Sequence, residues 1–180
     1  WNVLKEPFMH TLKGISTLKL RMGYGQSGNL GGISAYTTMD NVQQTGIVPV
    51  NNTPTVTLGA IRNNNPDLKW ETKSTFNIGG EIGLWHNRLM LTAEYYYSKT
   101  TDMLYAYDVP VPPFVYDKLL ANIGSMSNQG FEIGFSIAPI QTRDVDLNVN
   151  LNLSFQKNKL LSLSGQYKGM EMSAAPITAM

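Results

Sequence analysis

From residue 145 to residue 156 the chain alternates between apolar and polar positions almost without error. Val145, Leu147, Val149, Leu151, Leu153 and Phe155 form one set, and Asp146, Asn148, Asn150, Asn152, Ser154 and Gln156 form the other. A period of two predicts a β-strand with unlike faces. Four further stretches obey the same rule. Leu18, Leu20, Met22 and Tyr24 alternate with Lys19, Arg21 and Gly23; Phe76, Ile78, Gly80, Ile82 and Leu84 alternate with Thr75, Asn77, Gly79, Glu81 and Gly83. Leu89, Leu91, Ala93, Tyr95 and Tyr97 alternate with Met90, Thr92, Glu94, Tyr96 and Ser98; Phe131, Ile133, Phe135 and Ile137 alternate with Glu132, Gly134, Ser136 and Ala138. The charges Lys19, Arg21, Glu81, Glu94 and Glu132 all stay off the apolar set. Weaker strands are predicted near residues 103–107 and 160–163.

These runs exceed the usual globular strand of about 5–6 residues. A strand tilted across a bilayer needs roughly 9–11 residues, with lipid on one face and a polar lumen on the other. The expected fold is therefore all-β: a sector of an antiparallel transmembrane β-barrel. The alternative is a soluble β-sandwich, whose sheets alternate too. The joins favour the barrel, because short periplasmic turns and longer extracellular loops are its rule. Residues 85–88 and 140–144 make tight joins, whereas residues 25–70, residues 100–129 and the tail after Asn158 make long ones. Tyr24, Phe76, Tyr95, Tyr97, Phe131 and Phe155 sit toward the long-loop ends, as an outer aromatic girdle would. Five to seven strands cannot close a membrane barrel, which takes about eight. The chain is expected to be part of one larger barrel domain, closed only in its full-length parent.

Bulk composition adds exclusions. At 180 residues with a net charge of +1 and 15% charged residues, the chain has no basic field for nucleic acid. No apolar run is long enough for a membrane-spanning helix. The absence of cysteine removes disulfides and thiolate metal sites.

Three motifs invite chemistry. Gly23, Gly25 and Gly28 spell G-x-G-x-x-G after a strand, but no amphipathic helix follows and no acidic residue stands about 20 positions on. Glycines turning the chain at a barrel rim account for them. Asp144, Asp146, Asn148 and Asn150 resemble the start of a calcium loop, yet Val149 and Phe155 stand where an EF-hand needs Gly and Glu. Period-two amides explain the same letters. His10 and His86 are the only histidines, and neither joins a nucleophile or carboxylate pair. No enzyme is expected, and no metal or cofactor. The loop of residues 100–129 displays Tyr105, Tyr107, Phe114 and Tyr116 around Pro110, Pro112 and Pro113. Such rings either contact a ligand or lid or pack the loop on itself.

The run Asn65-Pro66-Asp67-Leu68-Lys69-Trp70-Glu71 resembles a hallmark segment of SusC/RagA-type TonB-dependent outer-membrane transporters. Segments at residues 18–29, 88–104, 122–133 and 156–163 resemble the same family in the same order. The resemblance implies a 22-stranded barrel with a plug, although no plug or TonB-contacting segment falls in this stretch. It also implies a SusD-like lipoprotein lid, energy from the TonB complex, and an oligosaccharide or peptide substrate. Residence in the outer membrane of a Gram-negative bacterium follows, with outer-membrane lipid around the barrel. Glu94, Glu132, Asp146, Asn148, Asn150 and Asn152 are the expected lumen-facing residues. A structural or adhesive surface β-protein that binds without transport is the alternative.

Overall fold

A computed structural model of the chain describes residues 1–9, 14–34 and 36–173; His10 lies outside them. Nine strands dominate: β1 (Ile15–Asn29), β2 (Val42–Val50), β3 (Thr53–Ala60), β4 (Glu71–Leu84), β5 (Leu89–Asp108), β6 (Lys118–Gln141), β7 (Asp146–Ser162), β8 (Ser164–Tyr167) and β9 (Met170–Ser173). Five of them form one antiparallel sheet in the order β1-β4-β5-β6-β7, while β2-β3 and β8-β9 are separate hairpins. The sheet is open, with β1 and β7 at its edges. The expected all-β, unclosed barrel sector is what the chain forms.

The chain divides into two compact units, the first being Trp1–Gln26, Ser74–Lys99 and Ser127–Lys159. Its faces follow the alternation. Leu18, Leu20, Ile82, Leu91 and Ala93 gather in a shallow apolar hollow on one face. The row from Leu147 to Phe155 is uncovered, with Leu151 52% exposed. A soluble sandwich would bury such a row under a second sheet, whereas here the row is exposed.

The tight join at residues 85–88 depends on unusual backbone. Trp85, His86 and Asn87 all take positive φ (51°, 59° and 63°). Thr17 Oγ1 donates to Asn87 Oδ1 at 2.9 Å, and the His86 amide donates to Ser16 Oγ at 2.7 Å. At the other join, the Val145 amide donates to Thr142 Oγ1 at 3.0 Å and the Thr142 amide returns a bond to Val145 O at 2.8 Å. Both turns satisfy their own polar groups, so they can stay short. At the N-terminal side Asn2 bridges Lys19 of β1, and the Leu20 amide donates to Trp1 O at 2.9 Å.

The second unit is Ser27–Lys73, Thr100–Met126 and Leu160–Met180. It has its own small core of Tyr107, Val109, Leu119, Ala121 and Met172, with Phe114, Ile123 and Tyr167 packed on it. Three expectations are corrected here. The loop expected over residues 100–129 is mostly strand, since β5 runs to Asp108 and β6 restarts at Lys118. Asp102, at φ 58°, interrupts the extended run, and the weaker strand expected at residues 103–107 is its continuation within β5. Residues 25–70 contain the β2-β3 hairpin, whose left-handed Asn51-Asn52 turn suits a two-residue connection. The tail carries β7 to Ser162, where the weaker strand expected at residues 160–163 falls, and then the β8-β9 hairpin, turned at Lys168-Gly169, both with positive φ.

Candidate functional site

The polar face of the first unit is a mosaic of paired charges, amides and glycines. Arg21 Nη2 lies 3.6 Å from Glu94 Oε2, and Lys19 Nζ lies 3.6 Å from Glu81 Oε1. Arg21, Glu94 and Glu132 border one hollow of about 250 Å³ with Thr92, Asn152 and Ser154. Glycine makes this mosaic possible, because polar side chains lie flat over strands that lack a Cβ. A Cβ on Gly130 would stand 2.6 Å from the Tyr96 ring, and one on Gly134 would meet Thr92 Oγ1 and Asn152 Oδ1. Thr75 and Ser98 share a hydroxyl hydrogen bond of 3.0 Å on the same set. Such a face offers many neutral donors and acceptors and few uncompensated charges.

The expected polar residues fall as follows. Glu94 pairs with Arg21, while Glu132 and Asn152 border the same hollow. Asn148 Nδ2 donates to Asp146 Oδ1 at 3.0 Å, and Asn150 is exposed on β7. Residues 146–150 are extended strand, so they do not wrap an ion, and the described residues contain no group of three or more His, Asp or Glu placed to hold a metal. The glycines Gly23, Gly25 and Gly28 lie inside β1, leaving no strand-to-helix turn for a phosphate.

The aromatic quartet is corrected in part. Tyr105 and Tyr107 sit on β5 and not on a loop. Tyr107 is fully buried (0% exposed) and meets Tyr105 edge to face at 5.3 Å. Phe114 packs against the core of the second unit, and Tyr116 donates its hydroxyl to Ala60 O at 2.6 Å. Packing within the unit therefore occupies Tyr107, Phe114 and the Tyr116 hydroxyl. It leaves Tyr105 and the rings of the 109–117 turn partly open.

Composition drew no attention to the residues that organise this unit. Residues 63, 65, 67, 69 and 71 are all polar or charged, and they form a clasp. Asn63 Nδ2 donates to Tyr116 O (2.6 Å) and Lys118 O (2.8 Å), while its Oδ1 accepts the amides of Val115 and Tyr116. Asn65, only 2% exposed, donates to Leu120 O at 2.8 Å and accepts from the Asp67 amide and the Tyr167 hydroxyl. Asn122 answers from β6, accepting the Lys69 amide at 2.9 Å and donating to Lys69 O and Asp102 O. Lys69 Nζ pairs with Asp102 at 2.9 Å, and Glu71 accepts the Leu104 amide and the Asn29 amide group, each at 3.0 Å. The clasp thus bonds backbone groups of β5, β6 and the turn between them. The signal was a period-two row of side chains able to bond backbone.

Comparison with known proteins gives this arrangement its setting. The family described as TonB dependent receptor-like, beta-barrel matches residues 13–177. The chain is 34% identical to TonB-dependent receptor P26 of Formosa agariphila over 175 residues, covering 92% of this chain and 16% of that receptor. It is 30% identical to TonB-dependent receptor SusC of Bacteroides thetaiotaomicron over 168 residues, covering 92% of this chain and 17% of SusC. Among solved structures, the RagAB peptide importer in the open-open state superposes with a TM-score of 0.78 at 26% identity, over 97% of this chain and 18% of that one. The RagAB peptide transporter gives 0.74 at 25% identity, over 94% and 18%. The chain spans about a sixth of the length of the curated relatives it matches. With its uncovered apolar face, its polar mosaic and these likenesses, the chain belongs to the TonB-dependent receptor β-barrel family, in its SusC/RagA-type branch.

Proposed function

We propose that this chain is a wall sector of an outer-membrane receptor that actively imports large nutrients, oligosaccharides first among them. In this reading the apolar set meets outer-membrane lipid. The polar mosaic, including Glu94, Glu132, Asp146, Asn148, Asn150 and Asn152, lines the lumen. One observation carries it: an open five-stranded sheet with an uncovered apolar face and a polar face that includes two ion pairs, Lys19–Glu81 and Arg21–Glu94. In water the first face would be an aggregation hazard; in hydrocarbon it is the favourable surface. Residues 74–84 and 89–99 of the first unit match the roughly 9–11 residues a tilted strand needs.

Cargo enters the lumen past hydroxyls, amides and compensated charges, a lining suited to hydrogen-bonding a neutral, hydroxyl-rich ligand. A SusD-like lipoprotein would close the outer mouth, and the TonB complex would supply energy through parts of the receptor outside this stretch. Peptide cargo is the second reading, favoured by the likeness to RagAB, a peptide importer.

The test is growth of the source bacterium with the complete receptor gene deleted and then restored, on panels of purified oligosaccharides and of peptides as the nutrient source. Growth lost on an oligosaccharide, restored by the gene and abolished again without TonB, supports the reading. Loss on peptides alone selects the second one. Unchanged growth on both panels overturns import.

A further inference from the structure

The β2-β3 hairpin has two unlike faces, and its apolar one is bare. Val42 pairs with Ala60, Ile47 with Val56 and Pro49 with Pro54, after a register shift between Gln44 and Gly46. The pairing sets Val42, Ile47, Val56 and Leu58 on one face, with Gln44 the polar residue among them. Thr45 bonds Thr57 on the other, beside Thr53, Thr55, Val48 and Val50. On the apolar face Ile47 is 62% exposed and Leu58 66%. A lone two-stranded ribbon is marginal in water, and a bare apolar ribbon invites aggregation.

Two features indicate what covers it. No charged residue stands between Asp40 and Arg62, so nothing in the ribbon can steer a separate partner or make its docking salt-dependent. The base is also fixed: Tyr116 donates to Ala60 O at 2.6 Å, the Ile61 amide to Asn41 O at 3.1 Å, and Arg62 Nη2 to Tyr36 O at 2.9 Å. The face is presented in one direction by a held base. A permanent neighbour suits this better than a lid that comes and goes, since each opening would return the face to water. Such neighbours exist in the family, because this chain matches only 16–17% of the length of receptor P26 or SusC.

We infer that an uncharged, apolar segment of the same receptor polypeptide, outside this stretch, permanently covers the Ile47-Val56-Leu58 face and so staples a neighbouring external loop to this one. The inference rests on the reading that the chain belongs to a longer barrel receptor with a lipoprotein partner.

The experiment uses the full-length receptor, purified in detergent both alone and with its lipoprotein. Single cysteines are placed at Leu58, at Val56 and, as the open reference, at the turn residue Asn52. A polar maleimide then reads accessibility. In both preparations Leu58→Cys and Val56→Cys should react about tenfold or more slowly than Asn52→Cys, because a covered thiol reacts only from a minority open state. Equal rates at Asn52 and Leu58 in both preparations overturn the staple. Protection seen only with the lipoprotein present also overturns it, giving the face to that partner. Growth of the same variants on the nutrient panels reads transport separately, so failure of import and failure of the staple are distinguishable.

Discussion

At the scale of single residues, backbone conformation and facing carry the sharpest expectations. His86 is the middle of three successive left-handed residues, a conformation that costs an L-residue roughly 1–2 kcal/mol. His86→Gly should therefore raise the urea midpoint of the full-length receptor, and His86→Val should lower it. Facing is read by a pair on β7. Leu151→Arg should cost about 2–4 kcal/mol if its side chain meets lipid near the midplane, while Asn150→Arg should be mild. Equal costs in vesicle refolding would contradict the assigned faces. Tyr107 is a case of a ring used for packing. Tyr107→Ala should cost about 3–5 kcal/mol by emptying the second unit's core. Tyr107→Phe should cost little, because the buried hydroxyl has no hydrogen-bond partner among the described residues. A large loss for the Phe variant would show that the hydroxyl is bonded in the full-length receptor.

At the scale of elements, the clasp decides how the excursion between β1 and β4 is held. Asn65→Ala would leave Leu120 O and the Asp67 amide without their partners, at about 1–3 kcal/mol for the half-buried Leu120 carbonyl and less for the exposed Asp67. Limited proteolysis of the intact receptor should then nick residues 30–62 faster, with the barrel's heat resistance unchanged. A nicking rate equal to that of the unaltered receptor would remove the clasp from this role. The five long strands were legible because each keeps a strict period of two through its first-unit portion. The β2-β3 hairpin was not, since Pro49, Pro54 and the bulge after Gln44 break the alternation. In a ribbon with no third strand, opposed prolines cost no ladder bond that a neighbour needs. The continuation of β5 past Asp102 read only as a separate, weaker strand at residues 103–107 for a related reason: one left-handed residue interrupts the pattern while the ladder resumes beyond it.

At the scale of the molecule, two compact units are encoded in one meander. The wall's ion pairs are half-exposed, and pairs of that kind are worth about 0–1 kcal/mol. Arg21→Ala should accordingly leave the heat-modifiable mobility of the receptor unchanged while removing a positive charge from the polar face. Collapse of the folded band would mean the pair is deeply buried in the complete barrel. The paired charges thus serve the chemistry of the face more than its stability.

By itself the sequence determined which side chains share a face, because a pleated strand sends alternate residues to opposite sides whatever surrounds it. It also determined that those faces suit different solvents. Only the tertiary structure decided what depends on the meeting of distant segments. The clasp exists because Asn63, Asn65 and Asn122 reach backbone some 50 residues away along the chain. Tyr107 became core and Tyr116 a tie because hydrogen bonds and packing form between whatever the fold brings within reach, and a linear pattern carries no record of that.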